Sequence, residues 1–230
     1  MGLLLNIIVD GLAYGMILFM IAVGLSVTMG LMRVVNLAHG GFAMIGGALA
    51  HVFGTQMGLG FLPTLILAIT GTIAIAMPLE RILYRRIYGF GELQQVLATI
   101  GLTFLMIATV NWWLGSTLLA VQMPEVLNQT VDLGFRTLPA HRIAVILLGL
   151  AVIAGLWVLL DRTRFGLRLR AAVDNRAIAS AHGINTDRMI VLAYVICGML
   201  SGLGGLLFVL DVGSAQPVDF GNFYELYAIA

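Results

Sequence analysis

The chain has 230 residues, of which 60% are hydrophobic and only 10% are charged, with a net charge of +1 at pH 7. Its mean hydropathy is +1.03. Soluble globular domains carry about 25% charged residues, so this composition excludes a globule that faces water on all sides. The apolar residues are gathered into runs of roughly twenty, the length that a helix needs to cross a bilayer.

Six candidate membrane spans follow one another along the chain. They are predicted at residues 11–32, 38–53, 61–79, 93–114, 143–160 and 189–210, and residues 3–9 form an apolar approach to the first. Each is predicted to be an α-helix, because an open strand cannot satisfy its backbone groups in lipid. The expected fold is therefore an all-α, multi-pass helical bundle with at least six spans, of which the second is short and interrupted. We expect one transmembrane domain over residues 1–230.

The arginines predict the orientation of the chain. Ten of the twelve fall in the connections after spans one, three and five, which lie on one side of the membrane. They are Arg33, Arg81, Arg85, Arg86, Arg162, Arg164, Arg168, Arg170, Arg176 and Arg188. Only Arg136 and Arg142 lie in the connection opposite. The positive-inside rule then places the three arginine-rich connections in the cytoplasm and the amino terminus outside.

Several kinds of chemistry are excluded or disfavoured by residues that the sequence lacks. The chain has no lysine, which excludes a Walker A loop and a lysine Schiff base. Cys197 is the only cysteine, so neither an intrachain disulfide nor a cysteine-rich metal site can form. Asp10 and Asp211 lie near the ends of spans, whereas ion-coupled transporters usually bury carboxylates inside them. These absences disfavour an intramembrane enzyme and favour a path-forming protein that takes its energy from elsewhere.

The stretch from Arg33 to Gly47 is the first candidate functional region. Asn36, His39, Gly40 and Gly41 lie where a continuous apolar helix is expected. Polar groups and glycines at membrane depth are costly unless they face protein or a water-filled cavity, and broken helices line many transport paths. The alternative is a short turn in which Asn36 caps the next helix. The residues alone leave both interpretations open.

The connection 161–188 is the second candidate region. The stretch LRLRAAVDNRAIASAHG predicts one short amphipathic helix, because Leu169, Val173 and Ala177 recur at four-residue spacing. Its arginines and Asp174 form either a docking surface for a cytoplasmic partner or a helix that lies on anionic lipid headgroups.

The end of this helix has its own signals. Gly183 is placed as the C′ residue, with Ile184 making the hydrophobic contact of a Schellman ending. Asn185 or Thr186 can then cap the following span. Within that span, Gly198/Gly202 and Ser201/Gly205 are small residues at four-residue spacing, as are Gly11 and Gly15 in the first span, and such pairs favour close helix packing.

Two motif regions resemble the permeases of branched-chain amino acid ABC importers, the LivH/LivM family. The first is GLSVTMGLMRVVNLAHGGFAMIGG, with its Asn-x-Ala-His-Gly turn between two glycine-containing spans. The second is TRFGLRLRAAVDNRAIASAHGINTDRMIVLAYVICGMLSGLGGLL, which is similar to the family's cytoplasmic coupling loop and the span after it. The resemblance covers essentially the whole chain and is closest to a LivH-type subunit.

The resemblance implies a division of labour in a bacterial inner membrane. Two permease subunits, identical or homologous, form the path; cytoplasmic ATP-binding subunits hold ATP–Mg, and a periplasmic solute-binding protein delivers the substrate. No cofactor in this chain and no nucleic acid partner are implied. The match puts Asn36, His39, Gly40 and Gly41 in or beside the substrate path. It also implies that the ATPase docks on the coupling loop, through Arg164, Gly166, Arg168, Arg170, Asp174, Arg176 and Gly183.

The solute itself stays open at this point. Gly41 stands where many relatives carry an acidic residue, and urea and short-amide permeases share the same motifs. A passive solute channel, with a basic loop that only anchors lipid headgroups, is the alternative from a different class. The chain is also shorter than typical members, so we expect one or two further spans after residue 230.

Overall fold

The computed structural model describes residues 2–32, 36, 38–87, 89–115, 120–121, 127–132, 137–212 and 215–216. Its helices are α1 (Gly2–Met32), α2 (His39–Ala50), α3 (Phe61–Leu79), α4 (Arg85–Ile87), α5 (Glu92–Leu114), α6 (Ala140–Trp157), α7 (Arg164–Asp174), α8 (Arg176–Ala181) and α9 (Thr186–Val212). Three π-helical turns extend α2, α3 and α6, at His51–Gln56, Glu80–Tyr84 and Val158–Arg162. Strands β1 (Thr130–Asp132) and β2 (Thr137–Pro139) pair antiparallel between α5 and α6.

Five helical stretches in the described part of the chain are long and apolar enough to cross a bilayer. They are Ile7–Val27, Phe61–Ile87, Leu93–Leu114, Ala140–Arg162 and Thr186–Val212. Each overlaps a predicted span, and most extend a few residues beyond the predicted bounds. The prediction of an all-α, multi-pass helical bundle is confirmed.

The remaining predicted span, α2, is the central helix of the bundle. All twelve of its residues are buried, and it contacts α1, α3, α5 and α9. Because its neighbours are protein rather than lipid, its four glycines and His39 escape the cost that polar and glycine residues meet in hydrocarbon.

Helix α9 packs against α1, α2 and α3, and small residues set its distance from them. A Cβ atom added to Gly205 would collide with the backbone carbonyl of Ala43, and one added to Gly46 would collide with the backbone of Gly202. The close packing predicted for the two small-residue pairs of α9 is therefore confirmed at Gly202 and Gly205. By contrast, Gly11 and Gly15 would meet no atom within 4 Å.

An ion-pair group joins α1, α6 and α9 at the end of the bundle away from most arginines. Arg142 pairs with Asp10, and its Nε lies 3.9 Å from Oδ1 of Asp211. The Nε2 of His141 lies 3.7 Å from the same carboxylate oxygen. The sequence placed Asp10, Arg142 and Asp211 near the ends of spans, but only the fold brings them together.

Candidate functional site

Asn36 is held at a junction of α2, α3 and α9. Its side chain is buried, and its Oδ1 accepts a hydrogen bond of 2.8 Å from the hydroxyl of Tyr84, in the π-helical turn after α3. Its Nδ2 donates to the hydroxyl of Tyr194 in α9 at 3.2 Å. The backbone N–H of Ala38 donates to the same Oδ1 at 3.1 Å, so one amide fixes both the local turn and two neighbouring helices.

Aromatic rings pack closely around this amide. The ring centroids of Tyr84 and Tyr194 lie 5.3 Å apart, and Phe42 of α2 meets Tyr194 edge-on at 6.0 Å. Edge-on ring pairs contribute about 0.5–1.5 kcal/mol beyond their buried area. We refer to Asn36, Tyr84, Tyr194 and Phe42, together with His39, as the Asn36 cluster.

His39 is the first residue of α2, and its ring lies inside the bundle. Its Nε2 lies 3.0 Å from the backbone oxygen of Ile21, and because a carbonyl can only accept, the ring N–H is the donor. Gly24 leaves the space for this ring, since a Cβ there would lie 2.8 Å from Nε2. The hydroxyl of Ser201 in α9 donates to the backbone oxygen of His39 at 3.3 Å, so the same residue also contacts α9.

Gly40 and Gly41 continue α2 rather than breaking it. Both lie in its first turn and are buried, and a Cβ on Gly41 would collide with Sδ of Met106 in α5. The polar interruption lies before α2, where the Asn36 side chain accepts a hydrogen bond from the N–H of Ala38. Asn36 itself is not the N-cap of α2, because that position is Ala38. The second span instead departs from α geometry at its far end, in the π-helical turn His51–Gln56. Residues 33–35 and 37 lie outside the described residues.

The predicted coupling loop folds as two helices, so the prediction of one amphipathic helix over 168–182 is wrong. Asn175 breaks it: its backbone is extended (φ −151°, ψ 102°), and its Oδ1 accepts from the backbone N–H of Ile178 at 3.0 Å. Asparagine often forms such a local bond in place of a continued helix. Of the three residues whose spacing predicted this helix, only Leu169 is buried, whereas Val173 and Ala177 are exposed. The two helices instead bury Leu169, Ala172 and Ala179.

Both ends of the loop follow recognised capping patterns. Thr163 caps α7 by accepting from the N–H of Gly166, and Asn185 caps α9 by accepting from the N–H of Arg188 at 3.0 Å. Gly183 has φ +79°, and Ile184 N–H donates to the oxygen of Ala179 at 3.1 Å. The predicted Schellman ending is therefore confirmed, as is Asn185, one of the two residues predicted to cap the last span.

The loop residues named from the sequence divide into two groups. Gly166 and Gly183 shape the loop: a Cβ on Gly166 would collide with the backbone of Leu160, and Gly183 takes a left-handed conformation. The exposed charged residues do not contribute to the buried side. They are Arg164, Arg168, Arg170 and Asp174, and of these Arg170 pairs with Asp161 at 2.6 Å. The side chain of Arg176 lies outside the described residues.

Apolar side chains stand among these exposed charges. Leu167 is 64% exposed, Ile178 is 57% exposed and Val173 is 38% exposed. The two helices thus bury Leu169, Ala172 and Ala179 and leave charged and apolar side chains exposed. We call these exposed residues, Arg164, Leu167, Arg168, Val173 and Ile178, the loop surface. Large contiguous apolar patches mark interaction sites, and these exposed side chains are candidates for part of one.

Sequence reasoning missed Tyr84, which lies among charged residues after the third span, and Tyr194, which carries a polar group on an otherwise apolar helical stretch. That hydroxyl was the available signal, since tyrosine hydroxyls usually find a partner when buried. No group of three or more His, Cys, Asp or Glu side chains suited to a metal ion occurs in the described part of the chain.

Comparison with known proteins identifies the family to which the chain belongs. A family model described as branched-chain amino acid transport system / permease component matches residues 7–230. The permease protein BraD of a high-affinity branched-chain amino acid transport system of Pseudomonas aeruginosa is 27% identical over 223 residues, which cover 91% of this chain and 72% of BraD. The corresponding LivH of Escherichia coli is 26% identical over 221 residues, which cover 90% of this chain and 71% of LivH.

A second kind of relative matches a shorter stretch. The ribose import permease protein RbsC of Escherichia coli is 37% identical over 84 residues, which cover 36% of this chain and 26% of RbsC. No solved structure matches significantly. Since the family model extends over nearly the whole chain, this multi-pass membrane protein belongs to the family of branched-chain amino acid transport permease components.

Proposed function

We propose that this chain is the path-forming permease subunit of an ABC importer that takes up branched-chain or related amino acids. The family match over residues 7–230 and the two relatives from branched-chain amino acid systems support this assignment. The absence of lysine from these 230 residues is consistent with a separate ATP-binding subunit, because a Walker A site needs a lysine. The chain itself is a transport subunit and not an enzyme.

The loop surface is the observation that carries the coupling role. It offers exposed leucine and isoleucine side chains beside exposed arginines, on helices that are anchored by Leu169 against Met189 and Ala193 of α9. Because Leu169 packs on α9, a partner that displaces the loop surface would also displace α9. ATP-binding subunits docked here would transmit their motion through α9 to α1, α2 and α3, which α9 contacts.

The Asn36 cluster is the proposed gate beside the substrate path. Its two tyrosine bonds tie the start of α2 to α3 and α9, so these helices cannot separate without breaking both. Asn36 and His39 turn their side-chain polar groups to protein, and Gly40 and Gly41 are buried in the first turn of α2. Their role in passage is therefore to open and close the path when α9 moves.

The remaining assignments follow from the same proposal. The arginine-rich end of the bundle faces the cytoplasm, and the amino terminus lies outside, by the positive-inside rule. A second permease subunit completes the path, ATP-binding subunits carry ATP–Mg, and a periplasmic solute-binding protein delivers the substrate.

Affinity purification from the native membrane tests the proposal. The wild-type protein should bring down a P-loop ATPase in stoichiometric amount under mild detergent. The substitution Leu167→Asp should remove that ATPase without lowering the amount of folded permease. Met57→Asp is the matched control, because Met57 is 61% exposed but lies after α2, at the other end of the bundle. Recovery of the permease alone, at low salt, would contradict the proposal.

The substrate class needs a separate assay, because the relatives include both amino acid and ribose permeases. Competition for ATP-driven uptake of labelled leucine separates the candidates. Unlabelled isoleucine and valine should compete, whereas urea, acetamide and ribose should not. Competition by urea alone would move the assignment to a urea or short-amide permease.

A further inference from the structure

A groove of about 950 Å³ opens at the arginine-rich end of the bundle, between the end of the α3 stretch and the start of α9. None of its described lining residues belongs to the loop surface. One wall carries Arg81 from the π-helical turn after α3 and Arg85 from α4. The other wall carries Arg188 from the first turn of α9.

Arginines outnumber carboxylates among the described residues that line the groove. Glu80 and Asp187 also line it, so three arginines face two carboxylates. Arg85 is paired with Asp187 at 3.4 Å, but both side chains are more than 60% exposed, and such a pair is weak. Arg81 and Arg188 are exposed and form no ion pair with any residue that the structure describes.

The other half of the lining is apolar. Ile190, Val191 and Leu192 continue the wall along α9, and Leu192 is 44% exposed. These residues lie about 6–9 Å from the start of α9 at 1.5 Å per residue, on a helix that is long enough to span the bilayer. The groove therefore changes from charged to apolar over the distance at which a lipid changes from headgroup to acyl chain.

We propose that this groove binds an anionic phospholipid of the adjacent leaflet. Arg81 and Arg188 hold the phosphate, and the first part of one acyl chain lies along Val191 and Leu192. Arginine suits this task because its planar fork donates to phosphate through two N–H groups at once. A free phosphate shares the headgroup chemistry but has nothing to place against the apolar wall, which is why the lipid fits better.

The dependence of the protein's thermal stability on anionic lipid tests this site. The protein is reconstituted in nanodiscs of phosphatidylcholine with increasing phosphatidylglycerol, and its thermal unfolding is followed. Phosphatidylglycerol should raise the unfolding temperature of the wild type. The double substitution Arg81→Gln/Arg188→Gln should weaken the apparent affinity about 10- to 30-fold, since each arginine near a lipid surface contributes on the order of 1 kcal/mol.

The matched control is Arg164→Gln/Arg168→Gln, which removes two exposed arginines of α7 that do not line the groove. It should keep the affinity within about threefold. An equal loss in both double variants would mean general surface attraction and would overturn the site. An equal effect of millimolar inorganic phosphate would also overturn it in favour of a free-anion site. Arg81→Lys/Arg188→Lys, which keeps the charge but not the planar fork, separates lost binding from misfolding and should retain more of the effect than the glutamine variant.

Photo-crosslinking in the native membrane decides between a lipid and a protein occupant. A benzophenone amino acid replaces Leu192, and the intact membranes are irradiated before purification. An adduct with the mass of a phospholipid supports the proposal. An adduct with another polypeptide would overturn it, because the groove would then be a subunit contact.

Discussion

The substitution Asn36→Leu removes the amide at the centre of the Asn36 cluster while keeping a side chain of similar size. Three hydrogen bonds are lost, those from Tyr84 and Ala38 to Oδ1 and the one from Nδ2 to Tyr194. Hydrogen bonds between membrane helices contribute about 0.6 kcal/mol on average and at most about 1.7. We therefore expect the free energy of unfolding to fall by about 2–3 kcal/mol.

A double-mutant cycle with Tyr84→Phe makes this expectation specific. Tyr84→Phe alone should cost about 1 kcal/mol, since its hydroxyl donates the shortest of the three bonds. In the Asn36→Leu background the hydroxyl no longer has this acceptor, so its removal should cost less by about 0.5–1.5 kcal/mol. The assay is unfolding in a graded mixture of mild detergent and dodecyl sulfate, followed by far-ultraviolet circular dichroism.

The control for this cycle is Thr70→Val. Thr70 is exposed on α3, and its hydroxyl bonds only within its own helix, to Ile66 and Leu67. Its effect should add to that of Asn36→Leu within about 0.5 kcal/mol. Additive behaviour of Asn36→Leu and Tyr84→Phe to the same precision would refute the reasoning, because the hydroxyl and the amide would then not be coupled.

Three further substitutions test other parts of the fold. Gly205→Ala should lower the free energy of unfolding by about 1–3 kcal/mol, because the added methyl group collides with the Ala43 carbonyl. The control Gly15→Ala should lower it by less than about 0.5 kcal/mol, because no atom lies within 4 Å of the added methyl group. Equal effects of the two substitutions would contradict the close packing of α9 on α2. Gly183→Ala should lower the free energy of unfolding by about 1–2 kcal/mol, because Gly183 has a left-handed backbone, and it should speed amide exchange in α8. The control Gly89→Ala should change neither quantity. Arg142→Gln should lower the free energy of unfolding by about 1–3 kcal/mol, because it removes the guanidinium beside the Asp211 carboxylate, which is only 13% exposed. Asp10→Asn should lower it by less than about 1 kcal/mol, because the Asp10 carboxylate is 45% exposed. A greater loss in Asp10→Asn than in Arg142→Gln would count against the burial of Asp211.

The spans could be predicted from the sequence because lipid allows so few alternatives. Apolar runs of about twenty residues must become helices, and the predicted positions of α3 and α5 agree with the structure to within one residue. Helix α9 and the start of α6 extend further than predicted, because polar residues near the interface, such as Thr186 and His141, continue a helix that hydropathy alone would end earlier. Helix α1 also begins earlier than predicted, because the apolar residues 3–9 join it.

The contacts of the candidate site could not be predicted from one sequence. Tyr84 and Tyr194 lie 48 and 158 positions from Asn36, and no local pattern indicates which distant hydroxyl meets which amide. The break at Asn175 was missed for a related reason. The apolar periodicity of Leu169, Val173 and Ala177 runs through it, and only the side-chain bond to Ile178 shows that the asparagine begins a new helix.

Uptake by the reconstituted complex tests the central claim most directly. The protein is reconstituted into liposomes together with the ATPase that co-purifies with it and the matching solute-binding protein, and uptake of labelled leucine is measured with and without ATP. Uptake should require ATP and should be lost in Leu167→Asp but not in Met57→Asp. Leucine flux through the protein alone, without ATP or partner chains, would contradict the account and identify a passive channel.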